Sequence, residues 1–230
     1  MKTKSKKLII FGDSAFAEVA YEYFTHDSEY EVVAFTVSRD YLKQNELFDL
    51  PVIPFENVEA GYRVDEFEMF VAMTYRRLNR DRAKIYCAAK EKGYKLANYV
   101  SSKAFIWPNV RMGDNCFIFE NNVIQPFVVL GSNVILWSGN HIGHHSKIHN
   151  HCFLASQVVV SGFVEIGEHC FIGVNATIAN NLRIADDCLI GAGAMIVKNT
   201  LQGELYKGQR SIPDPVSVYE KFEMTYDEVD

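Results

Sequence analysis

The sequence predicts a small open α/β domain over residues 1–100, a parallel β-helix over 101–200 and a tail over 201–230. Three observations carry this. From Ile106 to Ile196 every sixth residue is aliphatic, through Ile142, Ile148, Leu154 and Val160 without a break. Chance gives such a run roughly once in a hundred thousand registers, so it is an internal repeat. Cys116, Cys152, Cys170 and Cys188 are 36, 18 and 18 residues apart, multiples of three hexads. Residues 8–100 instead alternate apolar runs with helical spacing, the pattern of a parallel sheet flanked by helices.

Leu8 to Phe11 is a buried-strand run, followed by Gly12-Asp13-Ser14. Phe16, Val19, Ala20, Tyr23 and Phe24 then recur at helical spacing. Glu31 to Val37 reads as a second strand, Asp40 to Phe48 as a short helix ended by Leu50-Pro51, and Met69 to Met73 as a third strand. Asn79 to Lys92 reads as a helix with Gly93 just past its end. Leu96 to Val100 is a further strand leading into the repeat. A ligand of such a sheet lies beyond the carboxyl ends of the strands, near the Gly12 turn and the end of the second strand.

A period of six fits neither a helix nor an ordinary strand. It fits a triangular prism in which each hexad gives one side and one corner, and three hexads make a coil of eighteen residues. The aliphatic residue and the small residue two places earlier point inward, because side chains alternate faces along a strand. The Gly after the aliphatic, as at Gly113, Gly131, Gly143, Gly167, Gly173 and Gly191, is expected to ease the corner. The four cysteines share one side and face in. Asn122 and Asn140, eighteen apart at the inward position, are expected to stack as a hydrogen-bonded ladder.

The last thirty residues lack the repeat. Pro213, Pro215 and an acidic end suggest an extended tail packed on the helix side, with a short helix from Ser217, covering the open end of the prism. Net charge is -6, which argues against nucleic acid as a partner. The apolar run at Leu8 to Phe11 is too short for a signal-peptide core or a membrane span, so a cytoplasmic protein without membrane contact is expected. The cysteines read as core filler in a reducing compartment, and no Cys-x-x-Cys pair suggests a metal.

Five of the seven histidines fall between residues 141 and 151: His141, His144, His145, His149 and His151. None is inward in the hexad register. His145 and His151 are one hexad apart and lie near different corners. His144 and His149 meet a metal only with help from a neighbouring subunit.

The small α/β domain, the unbroken hexads, the motif Asn140-His141-Ile142-Gly143-His144-His145 and the run Ile190 to Lys198 together resemble bacterial sugar acyltransferases of the left-handed β-helix class. The resemblance is to the group that N-acetylates nucleotide-linked amino sugars for cell-surface glycans, with sialic acid O-acetyltransferases as relatives. It implies a left-handed helix, a homotrimer, acetyl-CoA between neighbouring β-helices and a nucleotide sugar on the small domain. His144 matches the family's catalytic histidine, and His145 stands where the family has an acidic residue. A second family histidine, at the acyl donor, falls on Phe153. The resemblance also implies donor contacts at Ala155, Gly173, Gly191 and Lys198. The turn Gly12-Asp13-Ser14 matches a Gly-x-Ser-Gly-x-Gly motif only in part, and Thr36-Val37-Ser38 replaces an acidic pair at the base.

For a nucleotide so held, the helix N-terminus after Gly12 meets the pyrophosphate. Asp13 is expected to turn away and cap the helix, leaving Ser14 to the ligand. Thr36 and Ser38 are expected to reach the base of dTDP or UDP, with Val37 packing on a thymine methyl.

The chemistry has its own logic. A thioester is already activated, so no covalent intermediate is required. The acceptor amine loses a proton as it attacks, and a histidine of ordinary pKa near 6.5 suits that task. Gly162, eighteen residues after His144, shares its corner one coil along, about 4.8 Å away. Its N–H is the expected oxyanion donor. The expected function is acetyl-CoA-dependent N-acetylation of a nucleotide-linked amino sugar without a metal. O-acetylation of a sugar hydroxyl, a zinc carbonic anhydrase using His144 and His149, and a non-catalytic nucleotide-sugar scaffold are the alternatives.

Overall fold

The structure is a computed structural model that describes residues 3–224. The small domain contains β1 (Lys6–Phe11), α1 (Ala15–Asp27), β2 (Tyr30–Val37), β3 (Glu46–Leu47), β4 (Leu50–Pro54), α2 (Val58–Gly61), β5 (Phe67–Val71) and α3 (Arg80–Glu91). Its sheet order is β3-β4-β2-β1-β5, parallel except for β3. Strand order therefore reverses at β1, where Gly12 leaves the sheet.

The helix expected over residues 40–48 does not form. A 3-10 turn at Arg39–Tyr41 is followed by the β3–β4 hairpin. Phe48 and Asp49 turn that hairpin with φ of 53° and 58°, the two left-handed residues a two-residue turn requires. Residues 96–100 also divide. Leu96 makes one bridge to Met69, while β6 (Tyr99–Val100) pairs with β9 (Phe117–Ile118) and already belongs to the next body.

That body is the prism. Two-residue strands recur every six residues from β7 (Phe105–Ile106) to β22 (Met195–Ile196), each ending on a hexad aliphatic. From β6 to β19 each strand pairs in parallel with the one eighteen residues on, which builds three faces. Face one runs from β6 through β9, β12 (Ile135–Leu136), β15 (Phe153–Leu154), β18 (Phe171–Ile172) and β21 (Leu189–Ile190). Face two carries β7, β10 (Val123–Ile124), β13 (His141–Ile142), β16 (Val159–Val160), β19 (Thr177–Ile178) and β22. Face three carries β8 (Arg111–Met112), β11 (Val129–Leu130), β14 (Lys147–Ile148), β17 (Glu165–Ile166) and β20 (Arg183–Ile184). The aliphatics and the small residues two places before them fill one continuous core, the four cysteines included. Burial pushes the Cys116 thiol up to about 12, so it stays a thiol. Cys87 departs from this scheme and is exposed on α3.

Two expectations about the coil are corrected. The left-handed corner residue is not the Gly after the aliphatic but the residue three places after the aliphatic: Asn115, Asn121, Phe127, Asn133, Gly139, His145 and so on to Gly193 all have positive φ. The Gly after the aliphatic is needed for stacking instead. A Cβ on Gly143 would stand 2.5 Å from the Ser161 carbonyl carbon of the next coil. The Asn122–Asn140 ladder is also absent. Asn122 donates to the Phe119 and Trp137 carbonyls, and the Asn140 amide turns to Trp137 O, because each closes its own corner. A ladder exists at another corner, where Asn115 donates to Asn133 Oδ1 at 2.8 Å and Asn133 meets His151 Nδ1 at 2.9 Å.

The small domain packs on face one. Phe16, Tyr23 and Phe24 of α1 meet Phe117 and Phe119, and Phe16 also meets Trp137. Arg82 of α3 is fully buried in the seam and donates to Asn133 Oδ1 and to the carbonyls of Asn133, Cys152, Met73 and Thr74. All these acceptors are neutral, and burial pulls its pKa down to about 9.

After the prism, β23 (Leu205–Tyr206) adds one more rung to face one, so the repeat's geometry outlasts its sequence signal. The helix expected from Ser217 is present as α4 (Val218–Lys221), capped by the Ser217 hydroxyl. The stretch 209–224 is mostly exposed rather than packed on the prism. The acidic end lies outside the described residues.

Candidate active site at the corner between faces two and three

His144 and His145 turn the chain from β13 to β14. The turn is fixed by backbone bonds: His145 N–H donates to Pro126 O at 3.1 Å, and Phe163 N–H donates to His144 O at 3.0 Å. His144 N–H donates to Gln125 Oε1 at 2.9 Å. His145 takes the left-handed position with φ 61°, as Phe127 and Phe163 do one coil below and above. Its ring is stacked between those two phenyls at 4.6 and 4.7 Å. The His144 ring stands edge-on to Phe163, and its Nδ1 lies 3.1 Å from His145 Nδ1.

Gly162, one coil above, lies against the His144 ring. A Cβ on Gly162 would stand 2.8 Å from His144 Cε1 and 2.9 Å from Nε2. The Gly162 carbonyl accepts from Asn181 N–H. Its own N–H makes no hydrogen bond among the described residues. An imidazole and a free backbone donor thus share one corner, and the missing Cβ is what lets the ring lie against Gly162. The same eighteen-residue column continues through Asn180 to Lys198, both exposed.

The other histidines go elsewhere. His141 sits on face two. His149 pairs with Glu165 at 2.8 Å, and His151 stacks on His169 beside Tyr86 at the corner between faces three and one. Among the described residues no three His, Cys, Asp or Glu side chains converge as metal ligands. His144 and His149 stand at opposite ends of β14.

Of the expected donor contacts, only Lys198 shares the His144 column. Phe153 is buried on face one between Tyr75 and Phe171, and Ala155 is buried beside it in the seam. Neither is open to an acyl donor in this chain, because the small domain covers that face. Gly173 and Gly191 lie at the corner between faces one and two, where a Cβ would strike the next coil at Ala192 N and Tyr206 O.

At the small domain, Gly12 has φ +123°, and a Cβ there would stand 2.8 Å from Ala72 O. Ser14 is the N-cap of α1, its side chain making no capping hydrogen bond among the described residues. Asp13 does not cap the helix as expected, because Ser14 occupies that position. Thr36 is removed from the candidate contacts: it is fully buried, its hydroxyl donates to Ile53 O, and its carbonyl accepts from Gly12 N–H. Val37 is buried as well, so no thymine methyl packs on it. Ser38 stays half-exposed at the end of β2.

Sequence reasoning missed the segment after β5. Phe11 and Val71 pair in register, so Gly12 and Ala72 leave the sheet side by side. Arg77, Leu78 and Asn79 are then all left-handed. Arg76 and Arg77 are exposed and meet Asp81 at 3.3 and 3.4 Å, and Tyr75 packs on Phe171 at 4.5 Å. Two adjacent arginines just past an apolar strand were the available signal.

The family described as "Bacterial transferase hexapeptide (six repeats)" matches residues 109–144, 128–162 and 163–198. No curated protein sequence matches the chain significantly. Among solved structures, the acetyltransferase domain of PglB from Neisseria gonorrhoeae is 25% identical with a TM-score of 0.79, covering 87% of this chain and 96% of that one. PerB from Caulobacter crescentus, in complex with CoA and GDP-perosamine, is 23% identical with a TM-score of 0.77, covering 89% and 95%. WeeI from Acinetobacter baumannii shares the fold at 17% identity and a TM-score of 0.56, covering 83% and 96%. The chain thus carries bacterial transferase hexapeptide repeats over residues 109–198, within the left-handed β-helix fold that it shares with the PglB acetyltransferase domain.

Proposed function

We propose that the protein transfers an acetyl group from acetyl-CoA to the amine of a nucleotide-linked amino sugar. The observation that carries this is the His144 ring resting on Gly162 with a free N–H beside it. His144 Nε2 takes the proton as the amine attacks the thioester carbonyl. The tetrahedral oxyanion accepts from Gly162 N–H. The C–S bond breaks, and the imidazolium returns its proton to the leaving thiolate. No carboxylate bonds either imidazole of the corner among the described residues, and an unsupported histidine suits an amine, which loses its proton from an ammonium-like nitrogen as it attacks, better than a sugar hydroxyl, which is the poorer nucleophile and needs stronger base assistance.

Donor and acceptor subsites follow from the same geometry. Lys198 lies three coils above His144, about 14 Å along the axis, within reach of CoA phosphates when the thioester is at His144. The nucleotide diphosphate lies at Gly12, Ser14 and the exposed Arg76 and Arg77, with the base toward Ser38. With Thr36 and Val37 buried, nothing at this edge favours dTDP or UDP over GDP, the carrier bound by PerB.

The carboxyl edge of the small sheet abuts face one, whereas His144 occupies the opposite vertex of the triangle. A sugar held there reaches the His144 of a second copy and not its own. Phe105, Trp107, Phe127, Phe163, Met195 and Val197 are exposed on face two and its His144 corner, an apolar surface suited to assembly. A homotrimer with the site between copies accounts for both features, and an acetyl-CoA donor supports a cytoplasmic reaction.

The test is release of free CoA thiol from acetyl-CoA across UDP-, dTDP- and GDP-linked 3-amino and 4-amino deoxy sugars and their hydroxyl analogues. Release with an amino sugar and not with its hydroxyl analogue is expected. Release with the hydroxyl analogues alone identifies an O-acetyltransferase.

A further inference from the structure

His145 does more at this corner than turn the chain. The corner's left-handed column reads Phe127, His145, Phe163 and Asn181. Turning the chain therefore needs no imidazole. The ring is also more than filler, because its stacking neighbours are phenyls that a third phenyl would match. What a phenyl lacks is the nitrogen 3.1 Å from His144 Nδ1. Two imidazoles meeting through Nδ1 share one proton: one ring donates and the other accepts.

The surroundings leave that proton to the pair. Gln125, Pro126 and Phe127 pack from the coil below, and Gly162 and Phe163 from the coil above, all neutral. The ionisable side chains of the adjoining strands are His141, Lys147 and Glu165, and Glu165 is engaged by His149. Among the described residues no other group hydrogen-bonds either Nδ1.

We infer that His145 is the positioning residue of the base, its Nδ1 accepting the Nδ1–H of His144 and so holding His144 in the tautomer whose Nε2 lone pair lies beside Gly162. This rests on the reading of His144 as the base. When His144 takes a second proton on Nε2, the Nδ1–H···Nδ1 bond persists and no proton needs to move between the rings. A neutral acceptor supports the imidazolium less than a carboxylate would.

The test is a pH titration by two-bond 1H–15N NMR on full-length protein labelled with 15N-histidine, with His144→Asn assigning the signals. Wild type is expected to show His144 protonated on Nδ1 and His145 on Nε2 above the titration midpoint. His145→Phe keeps the stack, and Phe is already accepted at this position in Phe127 and Phe163; His144 should lose its preference for the Nδ1–H form. His145→Asn tolerates the left-handed backbone and offers Oδ1 as acceptor, so it should restore that preference. It should also recover at least tenfold in kcat over His145→Phe. His145→Asp should raise the His144 midpoint by about one unit or more. A His144 protonated on Nε2 in wild type, or unchanged in His145→Phe, overturns the inference. Tautomers are read without turnover, so failure here is distinct from failure of His144 as base, which His144→Asn kinetics report.

Discussion

The ring of His144 lies over Gly162 so closely that a Cβ on the glycine would stand 2.8 Å from Cε1 and 2.9 Å from Nε2. Gly162→Ala must therefore push the ring aside, although the backbone N–H remains. Displacing a catalytic group by about an ångström costs on the order of 100-fold. We expect that loss in kcat with the melting temperature little changed. Wild-type kcat in Gly162→Ala would show that the ring's place on the glycine is irrelevant to turnover.

Ile172 ends β18 and is fully buried in the prism core. Ile172→Asp buries a carboxylate with no partner, at a cost of several kcal/mol (about 3 or more). The expected result is loss of folded, soluble protein on size-exclusion chromatography and circular dichroism. A variant with wild-type melting would contradict the hexad register.

Arg82 joins the two bodies through neutral acceptors alone. Arg82→Ala leaves the Asn133 carbonyl without a donor in a buried seam, takes one of two donors from the Cys152 carbonyl and opens a cavity, destabilising by about 3–5 kcal/mol. Arg82→Lys should recover little, since one ammonium does not span the contacts of a guanidinium fork. Urea denaturation at neutral pH measures both. A Lys variant as stable as wild type would mean that charge alone, not the fork, holds the seam.

His151 is held down to about 4, first by burial and then by the positive charges of His169 and Arg82. Burial likewise lowers His169. A depressed folded-state pKa means the unfolded chain binds the proton more readily. The stability contribution is therefore present above pH 6.5 and is lost as pH falls toward 4. For His151, about 1–2 kcal/mol remains after solvent screening. His151→Asn keeps an acceptor for Asn133 and does not titrate, so its stability should fall less between pH 6.5 and 4.5. An unchanged slope would assign the acid sensitivity to other groups.

The prism was legible because its period is imposed by geometry: each coil needs an inward aliphatic at the same place, so Ile106 to Ile196 announce themselves. The His144–Gly162 pairing followed from the same eighteen-residue arithmetic. The errors share a cause, since the repeat says which way a residue faces but not what covers it. Phe153 faces out of the prism and looked available, yet the small domain buries it. Thr36 ends a strand and looked free, yet the β2–β4 pairing consumes its hydroxyl. The β3–β4 hairpin was missed because Phe48 and Asp49 carry no glycine to mark their turn. Arg82 was missed because an arginine in a charged helix reads as solvated until a second body closes over it.

The central claim is that His144 takes the proton from an attacking amine. The most direct measurement is kcat and KM for CoA thiol release in wild type and His144→Asn, using the nucleotide amino sugar that turns over fastest. Asn keeps size and some hydrogen bonding but removes the proton acceptor. The account predicts a fall in kcat of at least about 100-fold with KM little changed, because the loss falls on the transition state. A His144→Asn protein that keeps its kcat would contradict it.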